Sequence, residues 1–152
     1  DDWTVKEWDL MFEVNVRGTY LCCKAIAPIM VKQGKGKIIN IASDVFLLPG
    51  AVGLTAYAVS KAAVYGLTQA LARALGPSGI NVNSIGPGFT ATEASLGQDA
   101  SGAAFEGTIA GQAIKRREEP YDLPGTAVFL ASADSDFITG HFITVNGGHT
   151  ML

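Results

Sequence analysis

The chain contains no apolar run approaching the ~18 residues needed to cross a membrane, and no charged-then-apolar leader stands at its start. Neither a membrane partner nor export is expected, and a cytoplasmic location follows. Cysteine is scarce. The only two, Cys22 and Cys23, are adjacent in a helical pattern and cannot build a disulfide framework; buried free thiols in a reducing compartment are expected. Charge is thin as well: 16% of the 152 residues are Asp, Glu, Lys or Arg, and the net charge is −3. That leaves no basic footprint for nucleic acid. His141 and His149 lack partners at metal-ligand spacing, so no metal site is expected and both read as surface or terminal positions. No G-x-G-x-x-G turn is present, since Gly34-Lys35-Gly36 and Gly86-Pro87-Gly88 are too short. The first residues, Asp1-Asp2-Trp3, lack an initiating methionine, as if the chain were entered mid-protein.

What is there is apolar and helix-forming. Hydrophobic residues make up 48% of the chain, enough for one domain with a real core. Thr4 followed by Glu7 is a capping-box pattern, and Leu10, Val14, Leu21 and Ala25 continue it at helical spacing. A helix is predicted over 4–32, with Pro28 as its kink or end. Lys37–Ala42 reads as a short strand covered on both faces. A second helix spans 56–75 and stops at Gly76-Pro77 and Gly79. Ile80–Ile85 is the next strand, with Asn81 and Asn83 alternating against its apolar residues. A helix over 121–132 and a strand over Phe142–Val145 follow. Strands separated by helices imply a narrow parallel sheet with right-handed crossovers. Between them, residues 91–117 are rich in Ala, Gly and Ser, with weak helical periodicity around Ala103–Ile114. A long segment of this kind is more often a functional lid than filler. It is expected to be the least ordered internal region, and its small side chains hint at a small or medium apolar substrate.

The chemistry centres on Lys37–Lys61. A strand there ends at Ser43, a Pro/Gly-containing loop follows, and a helix then opens with Tyr57 and carries Lys61 one turn later. Tyr57 and Lys61 share one helix face. A tyrosine's ordinary pKa of ~10 is too high for a base at neutral pH, and lowering it by two to three units takes ~3–4 kcal/mol. A cation ~4 Å away at an effective dielectric of ~20 could contribute about that much. Tyr20 and Lys24 repeat the spacing, so the pattern alone is weak. Setting separates the two pairs. Tyr57 begins a helix after a serine at the carboxyl end of a strand, where ligand crevices of open α/β sheets lie. Tyr20 has no such serine and is assigned to packing.

These residues also carry a resemblance. Asn15 in FEVNV, Ser43 in IINIAS, the pair in YAVSK, the segment NVNSIGPGFTAT and the ending ITGHFITVNGG occur together. In that order the chain resembles the C-terminal catalytic part of a short-chain dehydrogenase/reductase, with the N-terminal cofactor-gripping part missing. The resemblance implies an α/β fold: the C-terminal portion of a doubly wound Rossmann-type parallel sheet with flanking helices. Residues 1–152 would form a single partial domain.

The implied activity is hydride transfer between NAD or NADP and an alcohol or ketone. Tyr57 would be the general acid/base. Lys61 would lower its pKa and hold the nicotinamide ribose. Ser43 would stabilise the substrate oxygen, and Asn15 would bind a water linking Lys61 to solvent. Pro87 and Gly88 through Thr90 and Thr92 would meet the nicotinamide amide, with Gly88 letting the main chain approach the ring. Asn146 stands where the family more often has aspartate. The family pairs helices 4–32 and 56–75 in a homodimer or homotetramer. A non-catalytic interaction module keeping that pairing is the alternative. A serine hydrolase using Ser43 with Lys61 is a third reading, disfavoured because no nucleophile elbow surrounds Ser43. The isolated 152 residues are expected not to bind dinucleotide measurably, because the phosphate-binding turn is absent.

Overall fold

The computed structural model describes residues 3–48 and 53–151. Asp1, Asp2, Leu152 and residues 49–52, which include the Pro49-Gly50 part of the loop between Ser43 and Tyr57, lie outside the described residues.

The first helix begins as its sequence predicts. Thr4 Oγ1 accepts from Glu7 N at 3.3 Å, and Glu7 Oε2 accepts from Thr4 N at 2.9 Å, so two free helix-end donors are satisfied reciprocally. The single helix expected over 4–32 has three parts: α1 (Val5–Phe12), a wider π turn (Glu13–Arg17) and α2 (Gly18–Gln33). Pro28 does not end it. It lies inside α2 on an exposed side, where the one carbonyl it leaves unpaired can meet water. The stop is Gly34, whose φ of 68° is left-handed. Cys23 is buried, but Cys22 is exposed, against expectation. Adjacent helical positions point about 100° apart, so only one of the two can face the sheet. Tyr20 is also exposed rather than packed, with Lys24 Nζ 5.8 Å from its ring.

Three parallel strands follow in the order β1 (Gly36–Ile41), β2 (Ile80–Pro87), β3 (Phe142–Val145). Ile38 pairs with Val82 and Ser84 with Phe142. Alternation along β1 sends Ile38 and Asn40 toward α2 and the long helix α3 (Thr55–Leu75), where Cys23, Ala72, Ile80 and Val82 close a core. Asn40 Nδ2 donates there to Thr68 Oγ1 at 2.9 Å. Lys37 points the other way, to Ser135 Oγ and Asp136. α3 buries Ala56, Ser60, Val64, Thr68 and Ala72. These small residues recur every fourth position and let the helix axis lie close to the sheet.

The segment over 91–117 is more regular than its weak periodicity predicts. It forms α4 (Glu93–Gln98), capped by Thr92, and α5 (Ala103–Gly111). The helix predicted over 121–132 is a 3-10 turn, Pro120–Asp122, followed by α6 (Pro124–Ala131); Pro124 sits at the helix start, where its missing N–H costs nothing. Among the described residues no helix is long and apolar enough to cross a membrane.

A second core cluster joins the sheet to the site. Phe142 of β3 lies 5.2 Å from the Phe46 ring and 5.3 Å from Tyr65 of α3, packed with Ala42 and Val64. Phe142→Ala should lower unfolding free energy by about 3–5 kcal/mol, read from urea denaturation. A loss under about 1 kcal/mol would mean that this cluster does not hold β3 in place.

Candidate active site

Ser43, Tyr57 and Lys61 converge at the carboxyl end of β1. Lys61 Nζ donates to Ile41 O, the last strand residue, at 3.1 Å. The same ammonium lies 5.6 Å from the centre of the Tyr57 ring. Ser43 is buried two residues beyond Ile41, its hydroxyl donates to Pro87 O at 3.5 Å, and it lies near enough to the Tyr57 phenol to pull that group's pKa down. Its Oγ also accepts from Val45 N at 3.2 Å, capping the 3-10 turn Asp44–Leu47. Serine suits both tasks, because one hydroxyl can donate and accept. Asn15 sits in the π turn, and its Nδ2 donates to Ser60 Oγ at 3.0 Å and Met11 Sδ at 3.1 Å. Asn15 and Lys61 line one groove, without a hydrogen bond between their side chains.

The sequence argument expects Lys61 to hold the phenol's pKa down. The net direction is up. Burial is the largest cause, because it strips water from the phenolate; the nearby Ser43 hydroxyl pulls down, and the Asp44 charge pushes up. Lys61 does not offset this because its ammonium is turned to Ile41 O and stands off the ring rather than beside the phenol oxygen. Burial also pushes the Lys61 pKa down. In this arrangement Tyr57 is a protonated phenol at neutral pH.

The turn after β2 carries Pro87, Gly88, Thr90 and Thr92. Its backbone is already engaged. Gly88 N donates to Val145 O at 3.1 Å and to Glu118 Oε2 at 3.0 Å. A Cβ on Gly88 would come within 2.7 Å of Glu118 Oε2 and 2.9 Å of Asn146 Cβ. The chain's own close approach is therefore enough to require a glycine here. Thr90 Oγ1 donates to Glu118 Oε1 at 2.8 Å, and Thr92 Oγ1 accepts from Ser95 N at 3.2 Å to cap α4.

Four residues at this site carry no local sequence signal as functional groups. Asp44, 3% exposed, accepts from Asn146 Nδ2 at 2.9 Å and has His149 Nδ1 at 3.7 Å. His149 is thus half-buried beside the site rather than a loose terminal residue, whereas His141 is exposed as expected. Gln112 is buried, donates to Asn146 O at 3.1 Å, and has no partner for its Oε1 among the described residues. Glu118 is the fourth. Only Asn146, noted as a departure before Gly147-Gly148, offered a hint. Among the described residues no group of three His, Cys, Asp or Glu side chains could hold a metal ion.

Burial raises the Asp44 pKa above its usual 3.8, against the pull of Asn146 and His149. The folded chain then keeps the Asp44 proton to higher pH than the unfolded chain does. Its stabilising contribution is complete below about 3.8 and is lost as pH rises through the elevated folded value. Asp122, held down to about 2 by Arg116, keeps its charge across that window. Asp44→Asn leaves Asn146 an acceptor and removes the buried charge. The variant should melt higher than the parent at neutral pH and show a shallower fall in melting temperature from about pH 4 to 7. A lower melting temperature at neutral pH would show that the charge itself is stabilising.

Comparison with known proteins gives the same family as these residues. The family described as enoyl-(acyl carrier protein) reductase matches residues 1–150. The (3R)-3-hydroxyacyl-CoA dehydrogenase of Rattus norvegicus is 42% identical over 144 residues, covering 94% of this chain and 54% of that protein. The (2S)-[(R)-hydroxy(phenyl)methyl]succinyl-CoA dehydrogenase subunit BbsD of Thauera aromatica is 38% identical over 146 residues, covering 96% and 57%. Among solved structures, a gluconate 5-dehydrogenase from Burkholderia cenocepacia J2315, in complex with NADP and tartrate, superposes with a TM-score of 0.92 at 33% identity, over 98% of this chain and 58% of that one. A 3-oxoacyl-[acyl-carrier protein] reductase from Brucella melitensis with bound NAD gives 0.90 at 30%, over 99% and 55%. The chain spans about half the length of the curated relatives it matches. Its three-stranded parallel sheet with flanking helices is part of a doubly wound Rossmann-type fold, and the chain belongs to the short-chain dehydrogenase/reductase family.

Proposed function

We propose that this chain carries the catalytic part of an oxidoreductase that uses NAD or NADP to interconvert an alcohol and a ketone. The carrying observation is that the Ser43 hydroxyl and the Tyr57 phenol meet at the strand end where Lys61 Nζ donates to Ile41 O and stands 5.6 Å from the Tyr57 ring. The residues suit the reactive end of a nicotinamide nucleotide. An ammonium has three donors, and Lys61 uses one on Ile41 O, leaving two for ribose hydroxyls. Thr90 and Thr92 lie on the turn after β2, and their oxygens keep lone pairs for an amide.

When bound, the cofactor supplies or takes up the hydride. The chain's own residues manage the proton and the oxygen. Ser43 Oγ hydrogen-bonds the carbonyl oxygen and stabilises its developing negative charge. Tyr57 gives that oxygen its phenolic proton in reduction and takes it back in oxidation. Its raised pKa favours holding the proton before reaction, and Lys61 offsets the charge of the phenolate left afterwards. Asn15 and Lys61 share a groove through which a water could return the proton. The lid over 91–117 covers the substrate side, where Phe89 of the turn stacks on Phe105 of α5 at 4.2 Å.

Assembly rests on a separate observation. Leu10, Val14 and Leu21 along α1 and α2, and Val59 on α3, are exposed apolar side chains. They support self-association as a homodimer or homotetramer through these helices, and they would serve an interaction module equally well.

Two experiments test these readings in the full-length protein. Tyr57→Phe should lower kcat by at least about 10²-fold while leaving affinity for reduced cofactor, followed by nicotinamide fluorescence, nearly unchanged. Retained turnover would remove Tyr57 from the proton-transfer role. Leu21→Asp combined with Val59→Asp should shift the light-scattering mass toward the monomer, and an unchanged oligomer would place the contact elsewhere.

A further inference from the structure

Glu118 is 5% exposed; burial pushes its pKa up, and the hydrogen bonds from Thr90 and Gly88 pull it back down. Among the described residues no Lys, Arg or His lies within ion-pair distance of it. The two neighbouring arginines are engaged elsewhere. Arg116 grips both oxygens of Asp122 at 2.7 and 2.6 Å, and the Arg117 guanidinium lies 4.5 Å from the centre of the Phe105 ring. Burying an unpaired carboxylate is costly, so its presence asks for something only a carboxylate does. A carboxylate accepts on both oxygens at once and donates nothing. Glu118 uses it so: Oε1 takes the Thr90 hydroxyl at 2.8 Å, and Oε2 takes Gly88 N–H at 3.0 Å. Its main-chain oxygen also accepts Ala91 N at 2.8 Å, so Thr90 and Glu118 form an isolated parallel bridge. The two ends of the lid are stitched together at this point.

The hydrogen-bond polarity of the turn follows. Gly88 N–H is taken by Glu118 and Val145. The Thr90 carbonyl accepts from Ser95 Oγ at 2.7 Å, and Thr92 Oγ1 caps α4. With its proton committed to Glu118, the Thr90 hydroxyl can offer a ligand only its lone pairs. We infer that Glu118 is a positioning and specificity-determining residue: by holding the proton of Thr90 it turns that hydroxyl into an acceptor, so this part of the cofactor site selects an amide donor, the carboxamide NH2 of a nicotinamide. The inference rests on the cofactor reading above. A glutamine at 118 must place its NH2 against one of the two donors. Turned toward Thr90, it donates to that oxygen and frees the threonine proton, removing the preference.

The test uses the full-length protein with the NAD or NADP it accepts, and with the matching acetylpyridine analogue, whose methyl ketone has no NH2. Comparing each variant with the parent cancels the analogue's own reactivity. In the parent the carboxamide cofactor should have the lower KM. Glu118→Gln should raise its KM by about tenfold, the loss of one good hydrogen bond, with kcat within about twofold and the analogue's KM little changed. Thr90→Val, nearly the same shape and without the hydroxyl, should do the same. The double variant should be no worse than Thr90→Val alone, because both act through one oxygen. A turnover-competent parent whose preference for the carboxamide survives both single variants would overturn the inference while leaving the cofactor reading intact. Additive effects in the double variant would overturn it too. No turnover with any nicotinamide cofactor in the parent would overturn both together.

Discussion

The hydrogen bond from Lys61 Nζ to Ile41 O, 3.1 Å long, is the contact on which the site depends. It fastens the second turn of α3 to the last residue of β1, and so fixes where the two segments meet. Ser43 follows Ile41 by two residues and Tyr57 precedes Lys61 by four, so both hydroxyls are delivered to the same place. The carbonyl it uses belongs to the end of the strand, beyond which the chain leaves the sheet into the 3-10 turn. A side chain can therefore reach the ladder's last acceptor without breaking strand pairing. The stripe of small residues along α3 is the other requirement, because only a helix lying close to the sheet lets a lysine reach the strand's main chain while partly buried.

Local patterns were legible because they arise within a few residues. The Thr4–Glu7 capping box, the last strand, the stop of α3 and the shared face of Tyr57 and Lys61 all follow from spacing and from the side chains' own hydrogen-bonding capacity. So did the parallel order of strands, which alternation with helices dictates. What was not legible depends on pairings across distant segments. His149 reads as a spare terminal residue until the fold sets it 3.7 Å from Asp44. Glu118 reads as one charge in the run Arg116-Arg117-Glu118-Glu119, and nothing local says that it alone is buried beneath Gly88 and Thr90. The π turn escaped as well, because its residues keep the apolar spacing of an ordinary helix.

The direction of the Tyr57 pKa exposes a weakness in reasoning from spacing alone. An i, i+4 lysine guarantees a shared helix face, but not a short distance between charged atoms. Here the ammonium has a better acceptor in Ile41 O, whose full hydrogen bond outweighs standing above an aromatic ring. Without a cation beside the phenol oxygen, loss of water and the nearby Asp44 charge decide the sign. Lys61 is the residue whose movement would change that sign, since its side chain is flexible and its ammonium makes one side-chain hydrogen bond among the described residues.

Ser43 constrains how such a site can respond. Its Oγ already accepts from Val45 N and donates to Pro87 O at 3.5 Å. A hydroxyl has two lone pairs and one proton, so under the proposed reaction a substrate oxygen would take the proton of Ser43 while Tyr57 turned its own toward the same oxygen. The Val45 bond need not break. It keeps Ser43 fixed while the other two directions are exchanged, which limits reorganisation to the rotation of two O–H groups. The same economy appears at Thr90, where Glu118 holds one direction of a hydroxyl and leaves the others open. In both places a hydroxyl near the reacting end is pinned on one side by the chain, so that what it presents on the other is set before anything binds.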